Sequence, residues 1–105
     1  METNFLSQPT HPGAVIRLDL MEPLGLTMTA LAKAMDVSVS SVSRMVNEKA
    51  EVTTDMALRL SYVFGSNPET WLQLQLRHDL SKARKTFESS GLKKLLQDKE
   101  DLVEG

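Results

Sequence analysis

The chain has 105 residues, 41 % hydrophobic and 5 % aromatic, enough for one small core and too few for two domains of ordinary size. It contains no cysteine, which excludes disulfides, thiol nucleophiles and cysteine metal sites. The formal net charge of −2 excludes a uniformly basic nucleic-acid binder, yet the charge is segregated: Arg77, Lys82, Arg84, Lys85, Lys93 and Lys94 face only Glu69, Asp79 and Glu88 within residues 67–94.

At the amino end, Met1 to Pro12 holds no basic region followed by an apolar run, so no secretory leader is expected. Nowhere do about 18 apolar residues follow one another, so no membrane span is expected either, and the reading is a soluble, cytoplasmic protein. Period-2 alternation of β-branched residues is absent, which points to an all-α domain. A first helix is predicted from Pro12 to about Met21, with proline in its first turn and Ile16 and Leu20 four apart on its inner side. Pro23-Leu24-Gly25 then reads as a turn.

The segment Thr27 to Lys49 has the pattern of a helix-turn-helix reader. Thr27 caps a second helix, Met28 to Met35, and Ser38 caps a third, Val39 to Asn47, with Asp36-Val37-Ser38 as the turn between them. Leu31, Ala32, Met35, Val37, Val42 and Met45 fall where the motif must bury apolar or small side chains. Ala32 is small where the third helix must cross closely. Asp36 occupies a turn position where glycine is usual, and aspartate tolerates positive φ better than most residues. The other face of the third helix carries Ser40, Ser41, Ser43, Arg44 and Asn47, a polar front suited to a major groove.

Glu48 to Glu51 is a polar loop. Thr53 caps a fourth helix with Asp55 in its first turn, where the helix dipole favours an acid. Met56, Leu60, Val63 and Phe64 form its buried face, and Gly65 stops it. Asn67-Pro68-Glu69 starts a fifth helix over 67–88. This helix has two apolar stripes: Leu72, Leu76, Leu80, Ala83 and Phe87 on one side, Trp71, Leu74 and His78 roughly opposite. The first stripe is expected to cover the core, leaving Trp71, Leu74 and His78 for a second copy of the chain; the alternative is a helix sunk in the core, for which five helices offer little room. A single domain over 1–91 is the reading, with 92–105 a tail, either loosely helical or disordered.

Arg44 is the strongest candidate for base reading, because a guanidinium binds guanine O6 and N7 together; the competing possibility is an ion pair with Asp36 or Glu48. Val39, Ser40, Ser41 and Ser43 complete the candidate base-reading set. Thr27, Ser38, Asn47, Lys49 and Thr53 lie at helix ends and in the loop, where hydroxyls, amides and backbone N–H groups meet phosphates. His11 and His78 stand in no metal-ligand spacing, and Asp19 and Asp79 have no paired acid. No phosphate-cradling glycine loop and no nucleophile–base pattern occurs, so neither an enzyme nor a cofactor or metal protein is expected.

Several motifs together resemble the HigA-type antitoxins of type II toxin–antitoxin systems, within the XRE/Cro-like helix-turn-helix regulators. They are His11-Pro12-Gly13, Gly25-Leu26-Thr27, the reader segment, Asn47-Glu48-Lys49, and above all Phe64-Gly65-Ser66-Asn67-Pro68-Glu69-Thr70-Trp71, continued by Leu74-Gln75 and Asp79-Leu80. The resemblance covers about residues 9–84. It implies a five-helix, lambda-repressor-like fold, with the last helix used for dimerisation. It also implies binding to operator DNA, repression of the antitoxin's own operon, and neutralisation of a RelE-like (HigB-type) toxin that cleaves messenger RNA. Base and phosphate contacts in the family come from the cap and front of the third helix, here Ser38, Ser40, Ser41 and Arg44. The setting is a bacterial cytoplasm, with the protein on the nucleoid when it holds its operator. The chain departs from the family at Glu48, where glycine is common, and beyond Ser90. A stand-alone phage-type repressor without a toxin, and a helical protein-interaction adaptor, are the rival readings.

Overall fold

A computed structural model describes residues 10–96, and among them are five helices and no strand. The first, α1, opens as α-helix over Pro12–Val15, widens to a π-helix over Ile16–Met21, and closes with an α-helical turn over Glu22–Leu24. Four more follow: α2 over Met28–Met35, α3 over Val39–Val46, α4 over Thr54–Phe64 and α5 over Pro68–Thr86.

Each of these later helices starts at the expected cap. The side-chain oxygens of Thr27, Ser38, Thr53 and Asn67 accept from backbone N–H groups three residues on, at 3.0, 3.0, 3.2 and 3.3 Å. Such a cap contributes about 0.5–2 kcal/mol. Asp36 adopts the left-handed conformation expected of it, φ 58°, and so closes α2 while the chain turns into α3.

The first helix departs from expectation. It does not end at Met21; Pro23 lies inside its last turn, and the turn falls at Gly25 (φ 63°). Proline has no N–H and its ring clashes with the carbonyl four residues back, which breaks a regular α-helix. The π-helix removes the conflict by widening the ladder ahead of the proline, so that the Glu22 N–H donates to the Arg17 carbonyl, five residues back. Widening also rotates the inner face: Ile16 and Met21 are buried, while Leu20 is only half-buried.

The core is drawn from every helix and the loop before α4. Ile16, Leu31, Met35, Val42, Met45, Val46, Val52, Ala57, Leu60 and Trp71 form one buried cluster. Ala32 is buried at 2 % exposure where α3 crosses α2.

The fifth helix is turned the other way from the sequence expectation. Trp71, assigned to a partner-facing surface, is 5 % exposed within the chain's own core, and its indole N–H donates to Ser66 Oγ at 2.9 Å. Leu74 packs against the same core, and His78 is half-buried against His11. The stripe expected to cover the core is instead largely outward: Leu76 is 56 %, Leu80 40 % and Phe87 66 % exposed, with Leu72 alone half-buried. The reason is chemical. Gln75 shares the Trp71 side and places both ends of its amide, Oε1 on the Val52 N–H at 2.7 Å and Nε2 on Asp79 at 2.9 Å. A buried indole and a buried amide with satisfied hydrogen bonds outweigh leucines that can face solvent or a partner. From Lys82 onward every described residue is exposed, so the end of α5 projects beyond the fold, which extends 56 × 30 × 25 Å. The helix ends at Thr86 rather than Glu88, with Phe87 already extended. The expected tail lies partly outside the described residues; Leu92 to Leu96 are exposed and not helical.

Candidate nucleic-acid interface

The recognition helix α3 divides sharply. Val42, Met45 and Val46 are 0, 1 and 0 % exposed, whereas Val39, Ser40 and Arg44 are exposed and Ser41 and Ser43 half-buried. Ser40, Ser43, Arg44 and Asn47 follow i, i+3, i+4, i+7 spacing and therefore share one face. Neither competitor holds Arg44: Glu48 pairs with Arg17, and among the described residues Arg44 makes no ion pair with Asp36 or any other acid. Its guanidinium is free to meet a ligand.

The serines are partly engaged with one another. Ser38 Oγ caps Ser41 N and also donates to Ser41 Oγ at 2.9 Å, which draws Ser41 toward the helix start. Ser43 Oγ accepts from Asn47 Nδ2 at 3.3 Å. Ser40 thus presents the least committed hydroxyl of the set. Of the residues assigned to phosphates, Thr27, Ser38, Asn47, Lys49 and Thr53 are all exposed, with Thr27, Ser38 and Thr53 also serving as caps. An N-capping residue leaves the remaining free N–H groups of its helix pointing outward, the arrangement that receives an anion.

Two arginines hold this motif from outside it. Arg17 of α1 donates from Nη1 to the Val46 carbonyl at the end of α3, and its Nη2 lies 3.6 Å from Glu48 Oε2. Arg59 of α4 donates to the Met35 and Asp36 carbonyls at 2.8 and 3.2 Å at the end of α2, while its Nε bonds Asp55 at 2.8 Å. That bond to Asp55 holds the Arg59 pKa above its ordinary value. Each guanidinium meets the orphan carbonyls at the negative end of a reader helix. The sequence signal for Arg59 is its i, i+4 spacing from Asp55; Arg17 has no local signal at all.

Glu48 lies in the left-handed region at φ 63°, a conformation that glycine adopts without strain, so the glycine that the resemblance leads one to expect here would suit this backbone. Gly13 has a separate reason to be glycine: a Cβ there would lie 1.9 Å from the Met45 carbonyl oxygen, so α1 passes directly over the end of α3.

His11 and His78, far apart in sequence, meet edge to face with ring centroids 4.8 Å apart. His11 caps α1, its Nδ1 accepting from the Gly13 N–H at 2.8 Å. Burial, and then the charge of His78, lower its pKa; Glu48, a backbone hydrogen bond at Ala50 and Asp79 oppose the shift. His78 Nδ1 is shielded from solvent without a hydrogen-bond partner, 3.5 Å from Asp79 Oδ1. The pair lines a recess of about 160 Å³ together with Glu48, Lys49, Asp79 and Lys82. Among the described residues no three histidine or acidic side chains converge as a metal set.

The helix-turn-helix family profile matches residues 18–72. "Virulence-associated protein I" of Dichelobacter nodosus is 40 % identical over 79 residues, covering 75 % of this chain and 73 % of that protein. "Antitoxin HigA-1" of Vibrio cholerae is 33 % identical over 81 residues, covering 77 % and 76 %. A solved structure of the antitoxin GraA in complex with its operator superposes with a TM-score of 0.78 at 36 % identity, covering 86 % of this chain and 93 % of that one. The chain therefore belongs to the helix-turn-helix family of DNA-binding regulators, among the HigA- and GraA-type antitoxins, and not to a family of enzymes.

Proposed function

We propose that this chain is a dimeric, operator-binding antitoxin that represses its own operon and neutralises a RelE-like (HigB-type) toxin. The observation that carries the DNA-binding reading is the free front of α3: Ser40 and Arg44 are exposed while Val42, Met45 and Val46 anchor the opposite face. Arg44 reads a guanine, and Val39, Ser40, Ser41 and Ser43 read neighbouring base edges or a thymine methyl. Thr27, Ser38, Asn47, Lys49 and Thr53 hold phosphates and fix the register. Two copies place their recognition helices in successive major grooves, about 34 Å apart on a palindromic site. The outward face of α5 at Leu76 and Leu80, with the exposed Phe87 just past the helix end, is the surface we assign to dimerisation in place of Trp71, Leu74 and His78. Its support is the apolar area left open on a helix that projects from the fold. The protein acts in the bacterial cytoplasm and on the nucleoid when operator-bound. The toxin reading rests on kinship with HigA- and GraA-type antitoxins.

The test of DNA reading is a binding titration with the duplex that the chain enriches from a random library, against a shuffled duplex. Arg44→Ala is expected to reduce the preference by about 1–3 kcal/mol while the fold is retained. Equal losses on both duplexes refute base reading. The toxin reading is tested by co-expression with the neighbouring gene: a small ribonuclease that co-purifies and is silenced supports it, and its absence leaves a stand-alone repressor.

A further inference from the structure

Glu48 lies between Asn47 and Lys49, two residues assigned above to phosphate contact. An acid at that place repels the same phosphates that Lys49 attracts. Arg17, on a different helix, approaches it: the guanidinium donates to the Val46 carbonyl and stands 3.6 Å from the Glu48 carboxylate. Val46 is the last residue of α3, so its carbonyl belongs to the negative end of the recognition helix. One guanidinium thus meets two negative groups, both at the end of the reader that faces the loop.

We infer that Arg17 is a positioning residue for DNA reading, fixing the end of α3 and cancelling the charge of Glu48 against the DNA backbone. Neither task requires it to touch a nucleotide. The side chains of Arg17 and Glu48 are only 32 % and 42 % exposed, so their attraction is less screened than that of a fully solvated pair. The loop's other acid, Glu51, is exposed and makes no ion pair among the described residues. Of the loop's two acids, Glu48 is therefore the one that the fold provides with a cation. The inference rests on the DNA-reading proposal and specifies how the site tolerates an acid where a glycine is usual.

The experiment uses the full chain and the duplex it enriches from a random library. Arg17→Gln keeps an N–H donor near the Val46 carbonyl and loses the charge. It is expected to weaken binding about fivefold at about 50 mM salt, and less at about 200 mM, as an electrostatic effect must. Adding Glu48→Gln to that variant is expected to restore affinity to within about twofold, Glu51→Gln is not, and Arg17→Lys alone is expected to retain most of the binding. Melting curves are recorded for each. A loss that tracks the melting temperature, ignores salt and is not recovered by Glu48→Gln overturns the inference and leaves Arg17 a structural clamp. An Arg17→Gln variant that binds as well as the parent overturns it too. If the parent enriches no sequence, the DNA-reading proposal fails first, before any variant is compared.

Discussion

At Gly13 the backbone of α1 lies over the Met45 carbonyl with no room for a side-chain carbon, the projected Cβ being 1.9 Å from that oxygen. Gly13→Ala is expected to lower the unfolding free energy by about 1–3 kcal/mol, read as a shifted urea midpoint; an unchanged midpoint means the helix moves aside freely. Its neighbour His11 makes stability depend on pH. Burial first, then the charge of His78, hold its pKa below the ordinary 6.5, so the unfolded chain binds protons that the folded chain resists. The stabilisation is therefore complete above the unfolded value and is lost as pH falls through it toward the lowered folded value. Protonation of Nδ1 removes the acceptor that Gly13 N–H uses. The urea midpoint is expected to drop between about pH 7.5 and about pH 5.5, and His11→Asn, which keeps a capping oxygen, is expected to flatten the drop. A parent chain with a flat profile refutes this. Some of the residue scale was legible in sequence. Asp36 in the turn and the caps Thr27, Ser38, Thr53 and Asn67 are local signals that the structure repeats. The contacts of Arg17, Arg59 and the two histidines join residues of different helices, and no local pattern encodes such meetings.

Among the elements, α5 carries the clearest lesson. Hydrophobic periodicity identified both of its stripes but could not say which one turns inward, because each repeats at helical spacing. The deciding facts are the partners that only the fold provides: Ser66 for the Trp71 indole and the Val52 N–H for Gln75. The two stripes should therefore respond in opposite ways. Trp71→Ala is expected to destabilise the folded chain by about 3–5 kcal/mol through loss of a core side chain. Phe87→Ser, on the outward side, is expected to change it by no more than about 0.5 kcal/mol in dilute solution. Comparable losses in the two denaturation curves sink this assignment of faces. The first helix teaches the complementary point. Pro23 reads as a helix stop, and in an α-helix it is one; the π-helix ahead of it relieves the clash and carries the helix on to Leu24. A change of helix type is not written in residue spacing.

For the whole molecule, overall charge and overall shape point to the same economy of contacts. A net charge of −2 gives DNA little general attraction, a deficit that the two reading heads of the proposed dimer would offset by acting together. The all-α, helix-turn-helix architecture was legible from caps, turn residues and the Phe64 to Trp71 run, since these are short-range features. The proposed joining of two copies rests on which surface remains open, which is a property of the finished fold. Leu76→Glu combined with Leu80→Glu is expected to halve the sedimenting mass and, at equal protein concentration, to abolish retention on a two-half-site duplex. A double variant that still sediments at the parent mass removes α5 from the dimer.

The arginines that close both reader helices come from α1 and α4. The segment between Thr27 and Lys49 is consequently no transplantable cassette. Moved alone into a foreign scaffold, it would keep its backbone caps but lose the guanidinium partners of the Met35, Asp36 and Val46 carbonyls, and both helix ends would loosen. A graft that exchanges specificity between members of this lineage must bring Arg17 and Arg59 with it, or find their equivalents already waiting in the host.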